Sequence, residues 1–112
     1  MSKIIYNVTI KVNHNIAADW RQWMLSEHLP MLLKTGCFVD ANFYRLLEQD
    51  DTDGPTFCAQ YFCARIQDYE RYLNEFAGDM RAETQKLWGN NLVAFRSIME
   101  EQSLLRQKIM VN

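Results

Sequence analysis

The chain has 112 residues, the length of a single domain that buries a core without disulfides. Its net charge of −2 argues against nucleic acid as the main partner, because phosphate binding requires a basic surface. No apolar run is long enough to span a membrane, and the alternating N-terminus does not resemble a signal peptide. The three cysteines are typical of buried thiols in a reducing compartment, so we expect a cytoplasmic location and neither a metal site nor a cofactor.

The first predicted elements are a strand and a helix. Apolar and polar residues alternate over residues 3–13, which indicates a strand with one buried face. In the helix that follows, the apolar stripe on a helical wheel consists of Ile16, Trp20, Trp23 and Met24. Glu27 lies at the end of this stripe and His28 at its edge. Pro30 then either ends or kinks the helix, or opens one further turn through Lys34 that Gly36 stops.

The second half of the chain predicts three more strands and a second helix. Residues 37–48 carry apolar side chains at both alternating positions, which indicates a strand buried on both faces. The turn at residues 49–55 joins it to a third strand over residues 56–65. Asp68 is the expected cap of a second helix that Gly89 stops, and a fourth strand occupies residues 91–100.

The order strand, helix, strand, strand, helix, strand predicts an α+β fold, the ferredoxin-like βαββαβ sandwich. We expect a four-stranded antiparallel sheet with both helices on one face, formed by residues 1–102. Strands two to four also carry apolar residues on the other face, so the expected cover is a second copy of the chain in a homodimer. The apolar tail, residues 103–112, is expected to reach the partner or to cover an edge strand.

Several short motifs resemble one family of proteins. They are W-x-x-W-M-x-x-E-H-L-P at residues 20–30, T-G-C-F at 35–38, F-x-R-L-L-E at 43–48, Q-Y-F at 60–62, D-Y-E-R-Y-L at 68–73 and V-A-F-R at 93–96. Together they resemble the DUF4286 family, a group of small, mostly bacterial proteins of unknown function. The resemblance covers about residues 3–100 and implies a dimeric α/β-barrel domain. That wider superfamily includes antibiotic biosynthesis-type monooxygenases, haem-degrading monooxygenases, EthD-like proteins and muconolactone isomerases.

Glu27 and His28 are the candidate catalytic residues. A histidine titrates near neutral pH and is suited to act as a general base at the end of the first helix. A similar Glu-His-x-Pro segment in several barrel relatives favours this role. The alternative is structural: Glu27 accepts hydrogen bonds from a strand, and the helix dipole stabilises His28 as a cation.

The candidate ligand-binding residues are charged, aromatic or amide side chains. Arg45 and Arg96 interrupt apolar strands, so they either pair with Glu27, Glu48 or Glu100 or bind the carboxylate of a ligand. The aromatic candidates, which either line a cavity or pack the core, are Tyr6, Trp20, Trp23 and Tyr61. Asn7 has a counterpart in haem-degrading relatives, and its alternative role is a solvated or barrel-lining amide.

Two functions remain open from the sequence. One is a dimeric barrel protein that handles a small hydrophobic or aromatic molecule, as a cofactor-independent monooxygenase- or isomerase-like enzyme with His28 as acid or base. The other is a non-catalytic dimeric module that binds a ligand or a protein. Two observations distinguish these functions: whether an enclosed pocket of roughly 300 Å³ or more, as ligand sites usually have, lies between helices and sheet, and whether His28 opens into it. A space filled by Trp20, Trp23 and Phe76 would exclude the enzyme.

Overall fold

A computed structural model describes residues 3–107 of the chain. The strands are β1 (Ile4–Val12), β2 (Asp40–Arg45), β3 (Thr56–Cys63) and β4 (Leu92–Glu100). The helices are α1 (Ala17–Trp23), α2 (Leu29–Lys34), α3 (Ile66–Glu75) and α4 (Ala77–Trp88), with a π-helical turn (Met24–His28) joining α1 to α2. No helix within residues 3–107 is both long enough and apolar enough to cross a membrane.

The predicted ferredoxin-like fold is confirmed by the strand order β2-β3-β1-β4. β1 pairs antiparallel with both β3 and β4, and β2 pairs antiparallel with β3. Burial alternates along β1 as the sequence predicts, because the helices cover only one face of the sheet. The buried residues of β1, all on the helix-covered face, are Ile4, Tyr6, Val8, Ile10 and Val12.

Aromatic side chains fill most of the core between helices and sheet. Tyr6 packs against Tyr61, Tyr69 and Tyr72 with ring centroids 5.3–5.8 Å apart. Trp20 is 1% exposed and packs on Phe57 at 5.3 Å, so its indole is a packing element of the core. Rings at these separations contribute more than their buried area alone, which favours one fixed arrangement of helices on the sheet.

β2 differs from its prediction. It begins at Asp40, after Gly36 has turned the chain with a φ of +78°, and the expected burial on both faces does not occur within one chain. Tyr44 is half exposed, because no helix formed by residues 3–107 covers the second face of the sheet. We call that surface the open face; its exposed apolar side chains are Tyr44, Val93, Phe95 and Met99.

The second predicted helix is two helices. Phe76 leaves helical geometry, with φ −125° and ψ −33°, and separates α3 from α4. Asp68 is not the cap of α3: Arg65 precedes the helix, and Asp68 lies in its first turn, 3.3 Å from the Arg65 guanidinium. A carboxylate in a first helical turn also interacts favourably with the helix dipole, which explains its place in the sequence.

The C-terminal segment leaves β4 without forming another element up to residue 107. The Glu101 amide donates to the Lys3 carbonyl at 2.8 Å, and Leu104 and Leu105 are exposed. The last five residues of the predicted tail, 108–112, lie outside the described residues. The division at residue 102 and the contact of the tail with a partner or an edge strand therefore stay predictions.

Candidate functional site

A π-helical turn, residues Met24–His28, shapes the candidate site. The Leu29 amide donates to the Met24 carbonyl five residues earlier, which is the π pattern. Pro30 follows; it has no amide hydrogen and its ring clashes with an ordinary α-helical carbonyl, so a wider turn accommodates it. The chain then continues as α2 to Lys34, and Gly36 follows with positive φ. This is the second of the two outcomes that the sequence left open.

The extra residue of the π turn rotates His28 onto Trp23. On an α-helix these two positions lie about 140° apart, but a π turn places residues five apart above one another. The imidazole stacks on the indole with centroids 4.7 Å apart and planes 28° apart. The same rotation turns Glu27 outward, where it is exposed and does not line a cavity with His28. His28 is therefore the member of the predicted pair that faces the interior.

A cavity of about 60 Å³ lies beneath the π turn, between helices and sheet. Trp23, His28 and Met80 line its helical side, and Ala94 and Arg96 line its sheet side. It is much smaller than the roughly 300 Å³ usual for a ligand site, and Trp20 and Trp23 line it whereas Phe76 does not. A volume of this size holds a few waters or a few heavy atoms.

His28 is neutral in this environment. Burial, and then the positive charge of Arg96, lower the pKa of His28 from 6.5 to about 4. The expected stabilisation of a cationic His28 by a helix C-terminus does not apply, because the helical path continues into α2. A neutral imidazole accepts or donates a hydrogen bond and accepts a proton from a ligand when the ligand is a sufficiently strong acid.

The remaining polar groups of the cavity are phenols, a hydroxyl and guanidiniums. Burial raises the pKa of Tyr61 and of Tyr72, so both phenols stay protonated. Arg81 of α4 donates to the Tyr6 hydroxyl at 3.4 Å. Thr84 lies one helical turn beyond Arg81 on the same wall. Two cationic groups and several neutral donors thus surround a mostly apolar space.

The structure brings only some of the predicted site residues together. The predicted residues that line the cavity are Tyr6, Trp20, Trp23, His28, Tyr61 and Arg96. Asn7 lies on the opposite, open face, where its amide oxygen accepts from Cys58 at 3.0 Å and from Gln60 at 3.2 Å. Arg45 lies near the sheet edge and pairs with Asp51 at 2.9 Å, which is none of the three glutamates proposed for it.

Arg81 and Thr84 are two polar cavity residues that the sequence did not predict. They lie on α4 beside Met80. The missed signal is the spacing: Thr84 follows Arg81 by three positions, so both share one helix face. Among residues 3–107, no group of three or more His, Cys, Asp or Glu side chains is placed to hold a metal ion.

A family model described as a domain of unknown function, DUF4286, matches residues 3–102. The chain belongs to the DUF4286 family. This family resemblance, expected from the motifs at residues 20–96, is therefore confirmed. No curated protein matches this DUF4286 chain.

Solved structures similar to this DUF4286 protein share its fold at low sequence identity. A dimeric ferredoxin-like protein from an uncultured marine organism has 11% identity and a TM-score of 0.68, covering 94% of this chain and 100% of that chain. A putative antibiotic biosynthesis monooxygenase from Bordetella bronchiseptica has 15% identity and a TM-score of 0.66, covering 94% and 100%. SnoaB, a cofactor-independent oxygenase from Streptomyces nogalater, has 12% identity and a TM-score of 0.64, covering 93% and 98%. At these identities the similarity establishes the fold.

Proposed function

We propose that this DUF4286 protein is a homodimeric α/β barrel that binds a small, mostly apolar molecule in the cavity beneath the π turn. The observation that carries the proposal is the placement of His28. A π-helical turn holds it against Trp23 and directs it into an apolar cavity beside Arg96. Turns of this type occur often at functional sites, because they are held only where the surrounding structure requires them.

The proposed chemistry is acid–base catalysis by His28 without a bound cofactor. A neutral imidazole accepts a proton from a carbon acid, and the guanidinium of Arg96 stabilises the resulting negative charge. Both reaction types can follow: an isomerase-like reaction returns the proton to another carbon, and a monooxygenase-like reaction passes electrons from the carbanion to O2, which is the oxidant and the source of the added oxygen. Two similar structures support this proposal, since they are named as a monooxygenase of antibiotic biosynthesis and as a cofactor-independent oxygenase.

The proposed dimer pairs the open faces of two chains. Phe95 is 72% exposed, and Tyr44, Val93 and Met99 lie on the same surface, so the open face carries a cluster of exposed apolar side chains of the kind that marks interaction surfaces. A two-fold axis would place this patch against itself and cover it. The similar marine protein is described as dimeric, which supports the arrangement. We place the dimer in the cytoplasm, because all three thiols are free and a reducing compartment keeps them so.

A non-catalytic ligand-binding dimer is the second candidate. The cavity volume of about 60 Å³ favours it, since a flat aromatic substrate would enter only after outward movement of Trp23 and the π turn. The same cavity then serves to bind a small ligand without transforming it. The two candidates share the binding site and differ in whether a proton leaves the bound molecule.

Butan-2-one tests both candidates, because it is small, mostly apolar and enolisable. We expect its addition to shift amide NMR signals of residues 23–32 and 92–96. An Ala94→Leu exchange fills the cavity and should abolish the shifts, whereas Ala82→Leu, on the exposed side of α4, should preserve them. Incorporation of solvent deuterium into the ketone, lost in His28→Gln, identifies the enzyme; binding without incorporation identifies the module. Identical spectra with and without butan-2-one would contradict the binding proposal.

A further inference from the structure

We infer that the ligand of this cavity is a short monocarboxylate, whose carboxylate contacts Arg81 and Arg96 while its hydrocarbon chain occupies the apolar interior. This inference rests on the proposed function, since it names the class of molecule that the same site takes. It goes beyond that function because acid–base chemistry by His28 requires no charge on the ligand.

The charges around the cavity are unbalanced. Among the residues that the structure describes, its lining includes the guanidiniums of Arg81 and Arg96 and no carboxylate, although the chain has 14 acidic and 12 basic residues. The ion pairs within residues 3–107 use other arginines, namely Arg45, Arg65 and Arg71. Over the same residues, no carboxylate oxygen lies within 4.0 Å of either cavity guanidinium. An anionic ligand would be attracted by these two guanidiniums.

The two guanidiniums approach the cavity from different elements. Arg96 lies on β4 opposite Val8 of β1. Its side chain is on the same face of the strand as those of the apolar residues Leu92 and Ala94. Arg81 lies on α4, where the Tyr6 hydroxyl accepts one of its hydrogen bonds at 3.4 Å. Both residues are exposed, which places them on the outer side of the cavity. Each guanidinium retains further N–H donors in a planar arrangement that matches carboxylate oxygens.

The interior limits the rest of the ligand. Most of its lining side chains are apolar, including Trp23, Met80, Leu92 and Ala94, so the buried part of the ligand is mainly hydrocarbon. The volume of about 60 Å³ leaves space for a chain of about two to four carbons. A carboxylate at one end of such a chain would remain near the arginines and partly hydrated, which lowers the cost of its desolvation.

Propionate and propionamide separate the charge of the ligand from its shape. We expect propionate to bind the wild-type protein at least about tenfold more tightly than propionamide in NMR titrations at constant ionic strength. Arg96→Gln and Arg81→Gln should each weaken propionate binding by about tenfold and leave propionamide binding unchanged. Arg45→Gln is the matched control, because it removes an exposed strand arginine outside the cavity and should retain wild-type affinity.

A second readout follows from His28. Bound propionate offsets the charge of Arg96, so the pKa of His28 should rise on binding in wild type and should not rise on addition of propionamide.

Equal affinities for propionate and propionamide would overturn the inference while butan-2-one binding still supports the proposed function. The inference would also be overturned if Arg45→Gln weakened propionate binding as much as Arg96→Gln does. The loss would then reflect the net charge of the protein and not a contact in the cavity. If an Arg→Gln variant does not fold, the comparison of propionate with propionamide on the wild-type protein still tests the inference.

Discussion

Phe95→Glu is expected to convert the homodimer into a monomer. The measured mass should fall from twice the chain mass of 13.3 kDa to the mass of one chain. In the proposed dimer Phe95 lies within the apolar contact between two open faces, so the substitution buries a carboxylate in each chain. An unpaired buried charge costs about 3 kcal/mol or more, and the two-fold symmetry repeats that cost in the partner. Light scattering during size-exclusion chromatography measures the mass.

Leu87→Glu provides the control for this experiment. Leu87 is also an exposed apolar residue, 49% accessible, but it lies on α4, away from the open face. The Leu87→Glu variant should keep the dimer mass. A wild-type mass near 13.3 kDa would contradict the proposed dimer, as would a dimer that survives Phe95→Glu.

Gly54→Ala is expected to be the most destabilising single substitution proposed for this fold. Gly54 has a φ of +149°, and a Cβ atom added there would lie 1.8 Å from the Val12 carbonyl oxygen. The loop cannot move away without loss of the contact between the Val12 amide and the Pro55 carbonyl, which are 3.0 Å apart. We expect the free energy of unfolding to fall by about 4 kcal/mol, since backbone strain and a lost hydrogen bond add together.

Gly78→Ala is the matched substitution with the opposite expected sign. Gly78 lies in the first turn of α4, and a Cβ atom there would meet nothing within 4 Å. Alanine is the better helix former, so the free energy of unfolding should rise by up to about 1 kcal/mol. Urea denaturation of the two variants checks both values. Similar stabilities for Gly54→Ala and wild type would show that the loop does not pack on β1 in this way.

Much of the fold follows from the sequence because strand periodicity is local. The alternation from Ile4 to Val12 identifies the buried face of β1, and the order of elements then limits the topology to few arrangements. The break at Phe76 was missed, because the apolar spacing of α3 and α4 continues across it and a helical wheel does not detect one non-helical residue. The uneven burial of β2 depends on what covers the sheet, which no local pattern reveals.

The site was less predictable than the fold. A helical wheel drawn at α-helical steps places Glu27 at the end of the apolar stripe and His28 at its edge. The π turn instead directs His28 inward onto Trp23 and leaves Glu27 exposed. Pro30 indicates a disturbance, but it does not indicate which type of turn accommodates it. Arg81 reaches the cavity through packing between α4 and the sheet. The cavity volume depends on the rotamers of large side chains, and residue types do not specify those.

The pKa of the His28 imidazole tests most directly whether the π turn holds this ring buried in the cavity beside Arg96. Proton NMR resolves the two histidines of the chain, and a His14→Gln variant assigns their signals. We predict a pKa of about 4 for His28 in wild type and a higher pKa in Arg96→Gln, because one positive charge is then removed. A His28 pKa near 6.5 that Arg96→Gln leaves unchanged would contradict the proposed site.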